Sequence, residues 1–283
     1  MRCRWRKCLR HVILHGHIFK NAGTTFDWSL SRSFGHAFLD HRDDHAMRSR
    51  GAACLADIFS SKPNLLALST HHLPRALPAS PDLCHHCIYL LRHPLLRMRS
   101  VYNFERVQRA DTLGAKAAKR MTFKDYVVWR MEAKTPATIR NFQTLYLARP
   151  RRSRQGRSCD AADFAEAMDF AKSLPALGIV EHYDESMVLL EESLRPYFPT
   201  LDLAYIRQNV SLAHASDLGD DRAIAYTLQE LGEVAATVID RNSYDLALYQ
   251  ASLERFRAAV SGISDFAAKL ADFRKRCAQL RGR

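Results

Sequence analysis

Four short runs of consecutive apolar residues interrupt a chain whose other apolar residues mostly recur every three or four positions. The runs are HVILHGHIF (11 to 19), NLLALST (64 to 70), CIYLLR (87 to 92) and LGIVEHY (177 to 183). Their length and their branched and aromatic residues predict buried strands. The periodic stretches predict helices over TTFDWSLSRSF, over LLRMRSVYNFERVQRA with Pro94 in its first turn, and over FKDYVVWRME. Further helices are expected over ATIRNFQTLYLA, with Thr135 as N-cap and Pro136 as first residue, and over ADFAEAMDFAKSL and DESMVLLEESLRPYF. From about residue 220 to 283 the pattern is helical, with a break near Asn242. Strands alternating with helices argue for an α/β fold, 1 to 283 as one domain. A central, mainly parallel sheet of four or five strands is flanked by helices, and the helical C-terminal region packs against it.

In such a sheet, ligands bind beyond the C-terminal ends of the strands. The first strand runs there into HGHIFKNAGTTF (15 to 26). Gly23 allows close backbone approach, Thr24 and Thr25 bring hydroxyls, Lys20 brings a charge, and the following helix start offers free N–H groups. These residue types suit an anion cradle, and they equally suit an ordinary strand–turn–helix corner. The order differs from a Walker A loop, where the lysine follows the last glycine and precedes Ser or Thr. The third strand ends in a second corner, RHPLLRMRS (92 to 100). Arg92 belongs at the same sheet edge as Lys20, and Arg97 and Ser100 fall on one helix face. A guanidinium beside a hydroxyl suits a phosphate monoester. Arg99 and Arg106 read as surface arginines.

Composition narrows the picture. The chain has 283 residues and a net charge of +12, which favours anionic partners. No apolar run approaches the ~18 residues of a membrane span. The basic start, MRCRWRKCLRH, precedes too short an apolar stretch for a signal peptide, so a cytoplasmic protein is expected. Seven cysteines without a regular framework point to reduced thiols. PDLCHHC (81 to 87) has the CxxC spacing of a metal site, but no second pair completes it, and a loop leading into a strand is the simpler reading. RPRRSRQGR (149 to 157) reads as a basic loop: solvated, a flap over a phosphate, or a contact for an anionic acceptor. It lacks the aromatic residues that nucleic-acid stacking needs, so no nucleic-acid partner is expected.

Both corners resemble those of the PAPS-dependent sulfotransferases, particularly the carbohydrate branch that includes heparan 2-O-sulfotransferase-like proteins. HIFKNAGTTF is similar to that family's 5′-phosphosulfate loop, and RHPLLRMRSVYNF to its 3′-phosphate motif. Weaker likenesses follow in order at IRNFQTLYL (139 to 147), LGIVEHYDESMVLLEESL (177 to 194) and YDLALYQASLERF (244 to 256). Phe19 stands where the family carries proline. The resemblance implies a P-loop-like three-layer fold and sulfuryl transfer from PAPS, with PAP as product and no metal, to a glycan or small-molecule hydroxyl. It implies that Lys20 lies near the bridging oxygen. Asn21, Ala22, Gly23, Thr24 and Thr25 would hold the 5′-phosphate, and Arg92 and Ser100 the 3′-phosphate. His71 or His72, at the end of the second strand, would be the base, with Asp27, Glu105 and Glu181 as alternatives. Asn141 and Gln143 could touch acceptor or cofactor, or serve as caps. The C-terminal helices could pair in a homodimer. A P-loop-type kinase, or a basic protein that only binds nucleic acid or anionic glycan, is the competing expectation.

Overall fold

A computed structural model describes residues 9 to 148, 158 to 208 and 219 to 282. The arginine loop at 149 to 157 therefore lies outside the described residues. Strand β1 (Arg10–Gly16) is central because it is apolar on both faces: Val12, Ile13 and Leu14 are fully buried. It pairs in parallel with β3 (Ala67–Thr70) on one side and β4 (Leu83–Ile88) on the other. A short strand β2 (Phe38–His41) lies parallel to β3 at the edge, giving the order β2-β3-β1-β4. Past Tyr89 the chain of β4 continues as β5 (Leu90–Leu91), which pairs in parallel with β6 (Gly178–Ile179). The result is an α/β fold with a parallel central sheet between helices.

Helix α1 (Gly23–Phe34) follows β1, and α2 (Asp44–Arg50) and α3 (Ala52–Ser61) lie between β2 and β3. Helices α4 (Pro94–Val107), α5 (Leu113–Arg120), α6 (Phe123–Met131) and α7 (Phe142–Leu147) follow β5. Then come α8 (Ala161–Ser173), β6, α9 (Tyr183–Leu194), α10 (Asp220–Leu231), α11 (Ala235–Asp240), α12 (Ser243–Ser261) and α13 (Phe266–Arg281). The main core joins the sheet to Phe26 and Leu30 of α1, Leu190 of α9, Leu248 of α12 and Phe273 of α13. A second core joins Met98 and Val101 of α4, Ala118 of α5 and Tyr126 of α6 to Leu231 and Val238. The C-terminal helices thus close both cores. No helix among the described residues is long and apolar enough to cross a membrane.

The differences from the sequence reading have local causes. β2 (FLDH) carries only two apolar residues, because an edge strand is half exposed. β4 begins at Leu83, so the CHHC segment is strand and not loop. Thr135 closes a helix instead of opening one: its hydroxyl donates to the carbonyls of Arg130 and Glu132 at the end of α6. The helix expected to start at Pro136 starts only at Phe142, after Asn141 in the left-handed region (φ 44°). The run 177 to 183 holds two strand residues before a 3-10 turn leads into α9. The five described cysteines, Cys54, Cys84, Cys87, Cys159 and Cys277, are free thiols.

Candidate functional site

The segment 17 to 22 leaves β1 at the C-terminal edge of the sheet and turns sharply. Lys20 (φ 66°) and Ala22 (φ 57°) both adopt left-handed backbone conformations. Such conformations cost about 1–3 kcal/mol each for non-glycine residues and persist only when the surroundings impose them. Gly23, read from the sequence as allowing close backbone approach, is the first residue of α1. Its missing side chain makes room for a neighbour: a Cβ there would sit 2.4 Å from the His17 ring. Gly23→Ala is expected to displace His17 and to cost about 1–3 kcal/mol by overpacking, read from the urea midpoint.

Three side chains impose the turn. The Asn21 amide donates to the Leu90 carbonyl and to Gln143 Oε1, both at 2.7 Å. Gln143 Oε1 also accepts from the Arg92 backbone N–H at 2.9 Å, so one buried amide bridges the two corners. Arg97, 2% exposed, donates to the carbonyls of Phe19 at 3.0 Å and Thr138 at 2.9 Å. Asn21, Arg97 and Gln143 are therefore turned into the fold and hold the site's shape. Asn141 has a similar duty: its Oδ1 accepts from the Asp245 N–H at 2.9 Å, while the Asp245 carboxylate caps α7 at Gln143 and Thr144.

Between the corners lies a cavity of about 700 Å³, within the range of sites for small organic ligands. Its walls include Ala22, Gly23, Thr24 and Thr25 from the first corner and Arg92 and Ser100 from the second. Arg42, Arg99 and Arg207 also line it, as do the carboxylates Glu181 and Asp220. Arg99 was missed because its spacing looked like surface. It reaches the cavity while lying 3.5 Å over the Phe123 ring and bonding to Glu230 at 2.6 Å. Arg42 was missed with the edge strand that precedes it. Lys20 Nζ lies 4.6 Å over the Phe104 ring and pairs with no carboxylate among the described residues. Burial first, then Arg92 and Arg97, push its pKa down to about 8. Arg92 donates to the Lys20 carbonyl at 3.1 Å, and its Nε is buried without a hydrogen-bond partner. Glu181 lies 3.9 Å from that guanidinium and is also tied to the His93 N–H and the Tyr249 hydroxyl.

Histidines gather beside the lysine. Asp27 accepts from His15 Nδ1 at 2.7 Å and His17 Nδ1 at 2.8 Å, and Arg42 donates to it at 3.0 Å. Burial pushes the Asp27 carboxyl up, but the charges and hydrogen bonds of His15 and His17 outweigh it and hold the group well below the usual carboxylate range. Burial lowers the His17 pKa, against the raising effect of Asp27. The His71 ring packs 4.4 Å from that of His17, and its Nδ1 lies 3.1 Å from the His17 carbonyl. A carbonyl only accepts, so Nδ1 carries the proton. Burial, followed by the neighbouring His17, lowers the His71 pKa. The ring is thus neutral near pH 7, with its lone pair on Nε2. His71 also borders a second, larger cavity of about 1820 Å³. His72 lines only that larger cavity and lies 3.6 Å from Asp44. Both histidines stand in the turn after β3, no longer extended. Glu105 lines neither cavity and is buried against Arg130 and Tyr126.

No family model matches the chain. A protein of Archaeoglobus fulgidus, described as uncharacterized, is 25% identical over 261 residues, covering 88% of this chain and 98% of that protein.

Proposed function

We propose that the protein is a PAPS-dependent sulfotransferase that moves a sulfuryl group to a hydroxyl of a carbohydrate acceptor. One observation carries this reading: two strand-to-helix corners, far apart in sequence, supply cations and hydroxyls to the walls of one cavity, with a neutral histidine where it meets a larger one. The residues fit a doubly phosphorylated nucleotide. Lys20 has no carboxylate partner among the described residues, Arg92 and Ser100 line the cavity, and α1 starts at its wall with Gly23 and Thr24.

When bound, PAPS supplies a sulfuryl group on a good phosphate leaving group. In this reading Lys20 stabilises negative charge at the bridging oxygen, and Gly23, Thr24 and Thr25 hold the 5′-phosphate. Arg92 and Ser100 hold the 3′-phosphate, joined by Arg99. His71 Nε2 takes the proton of the acceptor hydroxyl. The acceptor occupies the larger cavity, whose walls carry Arg48, Lys134, Arg140 and Arg241.

Melting temperature in the presence of PAP, ATP or a DNA duplex tests the reading. PAP should stabilise most, ATP weakly and DNA not at all. Lys20→Ala should weaken PAP binding by about 2–5 kcal/mol, as for a buried charge partner removed. Stabilisation by DNA with none by PAP would sink the proposal in favour of a basic binding protein. The pH dependence follows from Lys20. Its charge is present below about 8 and is lost above it. PAP affinity should therefore fall as pH rises through 8, with net proton uptake on binding in that range. Lys20→Ala should remove this limb, which isothermal titration in two buffers would detect.

A further inference from the structure

The opposite end of β1 carries a separate cluster. Six residues of extended chain put His11 roughly 20 Å from His17 and the anion cavity. In the sheet register His11 stands beside Cys84, and Ile13 beside His86. Residues two apart on a strand share a face, so Cys84 and His86 project on the same side as His11, while His85 and Cys87 project on the other. The CxxC spacing of Cys84 and Cys87 thus divides between faces. The grouping that forms is His11, Cys84 and His86, whose ligand-type atoms all lie within 4.8 Å of one another.

We propose that His11, Cys84 and His86 form a zinc site linking β1 to β4. His11 Nδ1 and His86 Nε2 are 2.9 Å apart, so one of these nitrogens already presents a lone pair to the cluster. Two imidazoles and one thiolate are the donor set of a tetrahedral zinc ion with one position left for water. Zinc–nitrogen bonds of about 2.0–2.1 Å place two such nitrogens about 3.3 Å apart, a small widening of the present contact. The donor ring shifts its proton to its other nitrogen, and the thiol proton leaves to solvent. All three residues are partly exposed, which gives the ion access. Tyr197 packs 4.6 Å from the His11 ring and 4.5 Å from the His86 ring, and Phe198 meets both edge-on. This aromatic wall fixes the rings and lowers the local dielectric. The second histidine group, His15, His17 and Asp27, is different: its carboxylate is already satisfied by two ring N–H groups and Arg42.

Chelator-treated, reduced full-length protein should take up one zinc ion, with about one proton released and a rise in melting temperature. Cobalt(II) as a spectroscopic substitute should give a thiolate charge-transfer band. Cys84→Ser should abolish that band, and His11→Ala or His86→Ala should weaken zinc binding at least tenfold. Cys87→Ser should leave both unchanged. Should Cys84→Ser fail to fold, the histidine variants give the same reading. The absence of a thiolate band with cobalt, or zinc affinity unchanged in His86→Ala, overturns the assignment.

Discussion

If the proposed activity holds, His71→Ala should lower sulfuryl transfer by about 10²–10⁴-fold and leave stabilisation by PAP intact. That is the range expected for loss of a positioned general base. The expectation rests on position: His71 borders both cavities, whereas His72 borders only the larger one and faces Asp44. His72→Ala should change the rate little. Because burial lowers the His71 pKa, the ring remains an unprotonated base below the usual histidine value. The acid limb of the rate profile should therefore lie under pH 6.5 and vanish in His71→Ala. His17 is the natural competitor, since its Nδ1 is held by Asp27 and its ring lines the nucleotide-sized cavity. Transfer retained in His71→Ala and lost in His17→Ala would reassign the base. Transfer retained in both would remove histidine from the mechanism.

Glu105→Ala destabilises the fold by about 3–5 kcal/mol, as expected when one member of a buried ion pair is removed. Glu105 receives two hydrogen bonds from Arg130 Nη2, at 2.7 and 2.8 Å, and one from the Tyr126 hydroxyl at 2.6 Å. Arg130 is 3% exposed and would be left charged and half-partnered. Gly114 admits no side chain against this pair: a Cβ there would lie 2.1 Å from Arg130 Nη2. Denaturant unfolding measures the loss directly. Replacing both partners, as in Glu105→Leu with Arg130→Met, should cost far less than the single change, because no charge is then stranded. A single-variant loss under 1 kcal/mol would show that water reaches the pair.

Several residues that line the smaller cavity were visible in the sequence because their chemistry is local. Lys20, Gly23, Thr24 and Thr25 lie around one corner, Arg92 and Ser100 lie at and just beyond a second, and both corners follow apolar runs that read as buried strands. Parallel pairing then brings the two turns to the same edge. Other roles were not visible. Asn21 looks like a ligand residue in the loop, but it spends its amide on Leu90 and Gln143. Arg97 looks like a phosphate ligand on the face of Ser100, yet it points inward to two backbone carbonyls. Arg99 and Arg42, read as surface or not singled out, line the cavity. Helix spacing gives the face a residue belongs to, but not which face the neighbouring elements leave open.

The sequence by itself determined the alternation of strands and helices, the parallel sheet that alternation requires, and the two basic corners at its C-terminal edge. These follow from periodicity and from chain connectivity, which act over a few residues. Tertiary structure alone decided which polar groups are spent inside and which remain available. It placed the left-handed turns on Lys20 and Ala22, set His71 between two cavities, and split Cys84 from Cys87 while bringing His11 to it. Each of those outcomes depends on partners many residues away, such as Gln143 for Asn21 and Thr138 for Arg97. A burial cost is settled by whichever partner packing supplies, and no local pattern encodes that partner.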